Sequence, residues 1–214
     1  MRIEGVISDF GGVLTTPLIQ SFMAFQDVTG ISGETLGRAM QRIADADGEH
    51  PLFELECGRI SEADFLERMA DELEPDLGHR PEMHRFSEIY FDALRPNEPM
   101  IEQMRELRAG GLRMALLTNN VREWEPLWRS MLPVDEIFEL VVDSAFVGCR
   151  KPEREIYEIT LERFGLPAER CLFVDDIEAN CHGATAVGLG AVHFRDNDQA
   201  IPEIRAALAG RTAA

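Results

Sequence analysis

A chain of 214 residues with 39 Asp or Glu against 21 Arg or Lys carries a formal charge of −18, while its 45% apolar and 7% aromatic content belongs to a folded protein rather than a disordered one. So acidic a chain, without a basic cluster, is poorly suited to gripping a nucleic-acid backbone, and no apolar run approaches the ~18 residues needed to cross a bilayer. The length fits one domain with room for an inserted subdomain.

The four cysteines, Cys57, Cys149, Cys171 and Cys181, form no C-x-x-C pair, and none is followed six residues later by arginine. This argues against a disulfide framework, a zinc ribbon and a cysteine phosphatase loop, and reads as reduced, buried thiols. With no apolar leader at the N-terminus, the expected location is the cytoplasm. The basic residues are lopsided: Lys151 is the single lysine among them. It is followed by Pro152 rather than Ser or Thr, which excludes a nucleotide-binding P-loop. Where arginine serves nearly every solvated cation, a lone lysine marks a place that needs a compact ammonium.

In chain order, Ile3 to Ser8 is short and apolar and predicts a buried strand, running into Asp9-Phe10-Gly11-Gly12, whose glycines permit a tight turn. Residues 17–95 then read as consecutive helices, with Leu36, Met40 and Ile43 on one face, Phe65, Met69 and Leu73 on the next, and Phe86, Ile89, Tyr90 and Leu94 after them. Ser61 and Asp64 make a plausible capping pair. This stretch holds 17 acidic and 7 basic residues, and its apolar and Met positions are expected to form core rather than ligand contacts. Asn97 is the expected cap of a helix carrying Ile101, Met104 and Leu107, and Leu112 to Leu117 the second strand, ending in Thr118-Asn119-Asn120. Phe138 to Val142, Cys171 to Val174 and Ala191 to Phe194 predict three more strands, with a helix over Glu153 to Phe164. Near-continuous apolar strands alternating with helices predict an α/β fold built on a parallel sheet. The helical stretch 17–95 is then a cap inserted into a core formed by 1–16 and 96–214.

Open parallel sheets carry their sites at the carboxyl ends of the strands. There the chain offers Asp9, Thr118 with Asn119, Asp175-Asp176, and the loop holding Lys151. A carboxylate nucleophile, two further carboxylates, a hydroxyl and one ammonium suit phosphoryl transfer. Asp9 attacks phosphorus, a divalent cation held by Asp9 and Asp176 offsets the repulsion, and oxygen ligands favour Mg²⁺. Lys151 bridges nucleophile and phosphate, with Thr118 donating to another oxygen.

Four ordered motifs, Asp9-Phe10-Gly11-Gly12-Val13-Leu14, Leu116-Leu117-Thr118-Asn119-Asn120, Arg150-Lys151-Pro152-Glu153 and Phe173-Val174-Asp175-Asp176 with Asn180, resemble those of the haloacid dehalogenase-like hydrolases. The combination is most similar to the soluble epoxide hydrolase N-terminal phosphatase branch, and the insertion resembles the helical cap of phosphoglucomutase-like members. The resemblance implies a Rossmann-like sheet of order 3-2-1-4-5 with Asp9 beside Asp175 and Asp176. It also implies catalytic roles for Asp9 and Lys151, substrate contacts from Thr118, Asn119 and Lys151, and a Mg²⁺ site of Asp9, the Gly11 carbonyl, Asp175 and Asp176. Family phosphatases carry a second aspartate two residues after the nucleophile as general acid, and here that position is Gly11. Loss of such a group typically costs ~10²–10⁴-fold in rate. The expected substrate is a small phosphorylated metabolite and the expected assembly a monomer or homodimer, with neither nucleic acid nor membrane as partner.

Two other readings stand beside the phosphatase: a non-catalytic binding protein, which Gly11 favours, and a metal-independent dehalogenase, which Asp175 and Asp176 oppose. Arg59 is a candidate substrate contact in a cap loop, His182 a surface group and His193 a structural one. Trp124 and Trp128, four apart, suit a packing face or a subunit contact. Lys151→Arg is expected to fold normally and lose most activity.

Overall fold

Five short, apolar, buried strands make a parallel sheet in the computed structural model, which describes residues 2–210. They are β1 (Gly5–Ser8), β2 (Arg113–Thr118), β3 (Leu140–Asp143), β4 (Cys171–Asp175) and β5 (Gly190–His193), in the order β3-β2-β1-β4-β5. From β1 the strands are added first to one side, as β2 and β3, and then to the other, as β4 and β5, and the crevice at such a switch point, between β1 and β4, is where α/β sheets bind ligands. The register sets Ser8 opposite Val174, so the residues that follow, Asp9 and Asp175, leave the sheet side by side. The Asp9 amide donates to the Val174 carbonyl at 2.8 Å, extending the ladder into the site.

Between β1 and β2 lie α1 (Ile19–Thr29), α2 (Gly33–Asp47), α3 (Pro51–Glu56), α4 (Glu62–Leu77) and α5 (Phe86–Ala93), followed by α6 (Glu98–Ala109), which returns to the sheet. Ser61 opens α4 as the spacing predicts, its hydroxyl accepting from the Asp64 amide. Asn97 occupies the cap position of α6 but its side chain does not cap it. The amide donates instead to the Val13 carbonyl at 2.8 Å and pairs with Asn197, tying the loop after β1 to the far end of the chain.

After β2 come α7 (Glu125–Arg129) and α8 (Val134–Ile137), after β3 α9 (Ser144–Val147) and α10 (Arg154–Phe164), then α11 (Glu178–Ala186) after β4 and α12 (Asn197–Leu208) after β5. The third strand begins two residues later than its apolar run predicts, because Phe138 closes α8, its amide bonding to Val134 O. Two apolar clusters cover the two faces of the sheet, the larger continuous with the helical insertion, the smaller holding Tyr157, Phe164 and Phe173. Trp128 is buried against Phe10, and Trp124 packs among Phe86, Tyr90 and Phe91 of α5, so both tryptophans serve packing within the chain.

The insertion is fastened over the strand ends at three points. Trp124 Nε1 donates to Glu62 at 2.8 Å, and Arg150 Nε donates to Glu56 at 2.6 Å while its guanidinium lies over Phe53. Gly58, at φ +63°, passes so close to the Ala145 carbonyl that a Cβ would sit 2.2 Å from its oxygen. Only glycine fits there.

Candidate active site

Lys151 is the hub of the site. Its side chain is 1% exposed, and Nζ lies 2.7 Å from Asp9 Oδ1, 2.7 Å from Asp175 Oδ2 and 3.0 Å from the Leu117 carbonyl. Nζ donates to Asp175 and to the Leu117 carbonyl and forms an ion pair with Asp9, so the lysine ties the two carboxylates to the end of β2. Its backbone is held equally firmly: Asn119 accepts from the Lys151 amide at 2.8 Å and donates to its carbonyl at 3.0 Å. Through this pairing the residue at the end of β2 positions the lysine loop. Thr118, the other β2 residue predicted in the site, has a buried hydroxyl whose one partner is the Asn119 carbonyl at 3.5 Å.

Asp175 is the most heavily hydrogen-bonded of the three carboxylates at the site. Oδ1 accepts from the Ile177 amide at 2.8 Å and Asn180 at 2.9 Å, and Oδ2 accepts from Lys151 and from Asn180 at 3.1 Å. Tyr157 in turn donates to the Asn180 carbonyl at 2.8 Å. Asp176 sits beside Gly12, whose φ of +79° turns the backbone under it, and a Cβ on Gly12 would lie 2.2 Å from Asp176 Oδ2. His193 reaches the Asp176 carbonyl at 3.0 Å, a structural role as expected.

Carboxylate oxygens of Asp9, Asp175 and Asp176 lie within 4.8 Å of one another. Three carboxylates face one ammonium, and the deficit is visible in their protonation. Burial pushes Asp9 up to about 8, with Lys151 opposing and Asp175 and Asp176 adding to the rise. Burial and then Asp175 push Asp176 up to about 6. Burial works against the Lys151 charge, but Asp175 and Asp9 outweigh it and hold the ammonium charged. A divalent cation would balance this cluster and return Asp9 to its ionised form, and a hard, all-oxygen donor set fits Mg²⁺.

Gly11 opens onto a cavity of about 200 Å³ that runs from Thr118 and Asn119 up under the insertion. A Cβ on Gly11 would meet the Leu18 side chain at 3.1 Å, so an aspartate here would need Leu18 to yield by a few tenths of an ångström. The wall above includes Met83 together with Met40, Phe65 and Met69, the last three being positions whose helical spacing predicts core. Among the residues lining it, Glu56 is the one carboxylic acid. Burial raises its pKa, opposed by Arg150, and its side chain is 16% exposed. Glu56 and the aromatic lining carry no sequence signal of their own, since acidic and apolar residues fill the whole insertion. Arg59 pairs with Glu49 and is not among the residues lining the cavity, and His182 is exposed beside Glu178.

The family model for haloacid dehalogenase-like hydrolases matches residues 3–188. The chain belongs to that family, and is a hydrolase. Among its relatives, the phosphatase MT3486 of Mycobacterium tuberculosis is 31% identical over 204 residues, covering 89% of this chain and 87% of that one. The sesquiterpene phosphatase astK of Aspergillus oryzae is 27% identical over 212 residues, covering 94% and 95%. Mouse acyl-CoA dehydrogenase family member 10 is 28% identical over 96% of this chain, which spans only 19% of that longer protein. A solved haloacid dehalogenase family enzyme from Bacteroides thetaiotaomicron, in complex with magnesium and inorganic phosphate, shares the fold with a TM-score of 0.67 and 21% identity, over 90% of this chain and 94% of that one. No helix among the described residues is long and apolar enough to cross a membrane.

Proposed function

We propose that the protein is a Mg²⁺-dependent phosphatase acting on a small phosphate monoester through an aspartyl-phosphate on Asp9. The observation that carries this reading is the pairing of Asp9 with the buried Lys151 inside a three-carboxylate cluster. A dehalogenase working without metal would leave those carboxylates facing its own nucleophile. The relatives named as phosphatases, which this chain matches over most of its length, point the same way.

Asp9, Asp175, Asp176 and the Gly11 carbonyl would hold the ion. Bound there, Mg²⁺ supplies charge neutralisation of the phosphate and of the carboxylates. Lys151 holds Asp9 Oδ1, leaving Oδ2 as the attacking atom. That oxygen forms a bond to phosphorus while the ester P–O bond breaks, and the alcohol leaves with the bonding pair. Water then attacks phosphorus, releasing inorganic phosphate and restoring the Asp9 carboxylate. Thr118 is placed to donate to a phosphate oxygen, and Asn119 keeps the Lys151 loop in register.

Position 11 supplies no proton, so the leaving alkoxide draws one from solvent or from Glu56, at a cost in rate within the ~10²–10⁴-fold that a positioned acid is worth. Residues 17–95 act as the cap that closes over the ester, on a core of 1–16 and 96–214. The test is release of phosphate from p-nitrophenyl phosphate with and without Mg²⁺, beside Asp9→Asn. Turnover that needs both the metal and Asp9 supports the reading. No turnover, from an intact protein that binds Mg²⁺, would favour the non-catalytic alternative that Gly11 keeps open.

A further inference from the structure

Position 11 supplies no acid, yet the cavity that Gly11 opens onto holds a hydroxyl with nothing to bind. The chain has two tyrosines. Tyr157 donates to the Asn180 carbonyl and so serves the setting of Asp175. Tyr90, on α5, lines the cavity together with Gly11, Thr118 and Asn119. Its hydroxyl makes no hydrogen bond among the described residues, and it is not one of the sealed, unpartnered polar atoms of the interior, so it faces the open space.

The ring is 8% exposed and is clamped by Phe22, Phe86, Phe91 and Trp124, whose centroids lie 5.0–6.0 Å from its own. A ring so held carries its hydroxyl at a fixed place. The charges that act on the hydroxyl show which way it looks. Burial raises its pKa above the ordinary phenol value, and Glu56, Asp9 and Asp176 raise it further, so it stays protonated as a donor beside the nucleophile's cluster.

A phenylalanine would fill the same wall without leaving a hydroxyl unpaired, and an unpaired hydroxyl away from water is costly. The missing partner is then an oxygen that arrives with the ligand. In-line displacement sets the leaving oxygen on the side of phosphorus opposite Asp9, toward the cavity. Glu56, the carboxylic acid in the wall, is less suited to meet it: burial raises its pKa, but Arg150 opposes the rise and holds its Oε2 at 2.6 Å.

We propose that Tyr90 is a catalytic residue, its hydroxyl donating to the leaving oxygen of the ester in place of the acid that position 11 lacks. As the P–O bond breaks, its electron pair stays with that oxygen, the phenol proton passes to it, and the phenolate recovers a proton from solvent water. The proposal rests on the phosphatase reading and adds to it the residue that assists departure.

The experiment compares Tyr90→Phe with wild type, both with Mg²⁺, on p-nitrophenyl, phenyl and propyl phosphate, in order of falling leaving-group acidity. kcat/KM is read because it covers binding and the loss of the alcohol, not the later attack of water. Phenylalanine keeps the ring and its packing, and urea unfolding checks that the fold is unchanged. p-Nitrophenolate leaves without a proton, so its kcat/KM should change less than ~3-fold, while propyl phosphate should fall by ~10²-fold, the lower end of what a positioned acid contributes, with phenyl phosphate between. Glu56→Gln should lower all the esters by a similar factor, since it loosens the fastening to Arg150 and leaves the donor in place. A uniform change across the esters in Tyr90→Phe, or a selective loss in Glu56→Gln instead, would overturn the role of Tyr90 and leave the phosphatase reading intact. A wild type that binds Mg²⁺ and hydrolyses none of the esters would sink the phosphatase reading, and this role with it.

Discussion

Replacing Lys151 with methionine keeps most of the length of the side chain and deletes its charge. Hydrogen bonds to Asp175 and the Leu117 carbonyl vanish with the ion pair to Asp9, and two buried carboxylates lose their shared counter-ion. Removing one partner from a buried ion pair typically costs about 3–5 kcal/mol. The lower end applies here, because Asp9 already sits at about 8 and can take up a proton instead of standing unpaired. The catalytic effect is separate: an ammonium at contact distance supplies roughly 4 kcal/mol to an anion at an effective dielectric near 20, or ~10³-fold in rate. Urea unfolding followed by tryptophan fluorescence reads the first quantity, and Mg²⁺-dependent phosphate release the second. A variant within ~0.5 kcal/mol of wild type, or one keeping more than a tenth of its turnover, would refute this account of the lysine. Lys151→Arg is expected to lose activity as the sequence indicates, but not to fold unharmed. A guanidinium cannot meet three acceptors around one nitrogen, and the extra volume in a fully buried slot should cost about 1–3 kcal/mol.

Gly12→Ala places a Cβ against Asp176 at a backbone conformation that disfavours side chains, so calorimetry should find Mg²⁺ affinity lowered at least ~10-fold and unfolding should show a loss of about 1–3 kcal/mol. Gly11→Asp alone should be destabilising because Leu18 has to yield, whereas Gly11→Asp with Leu18→Ala should restore folding and raise turnover of alkyl esters by ~10-fold or more, read by phosphate release. Asp143 is buried with Oδ2 unpartnered, and burial pushes its carboxyl from 3.8 up to about 7. The folded state therefore keeps a proton that the unfolded chain releases, and this contribution to stability is lost as pH rises from about 4 to about 7. Denaturant titrations at pH 5 and pH 8 should show Asp143→Asn removing up to about 3 kcal/mol of that slope, since the contribution runs at ~1.4 kcal/mol per pH unit over the two units from pH 5 to about 7.

The strand-end residues were legible because apolar runs too short for helices end in polar residues at the places where a parallel sheet presents its site. Asp9, Thr118, Lys151 and Asp175 could be assigned to one rim before any coordinates. Their division of labour was not legible. Asn119 reads as a substrate contact by position, but its two-way pairing with the Lys151 backbone carried no sequence signal, because only the approach of two loops distant in sequence reveals it. Helical spacing tells which face of α2 or α4 turns inward, but an inward face that lines a void has the same period as one that fills a core. That is why Met40 reads as packing and stands half-buried in the cavity wall, while Met69 is core as expected and also borders the cavity. Asn97 failed for a similar reason: its capping propensity was outbid by a carbonyl and an amide brought together from opposite ends of the chain.

The central claim is that Asp9 carries the phosphoryl group. Mixing the protein with Mg²⁺ and excess p-nitrophenyl phosphate, quenching in acid within the first turnovers and mapping peptides by mass should reveal one added phosphoryl group on the peptide containing Asp9, absent from Asp9→Asn. Phosphate released with no adduct on that peptide, and undiminished by Asp9→Asn, would contradict it.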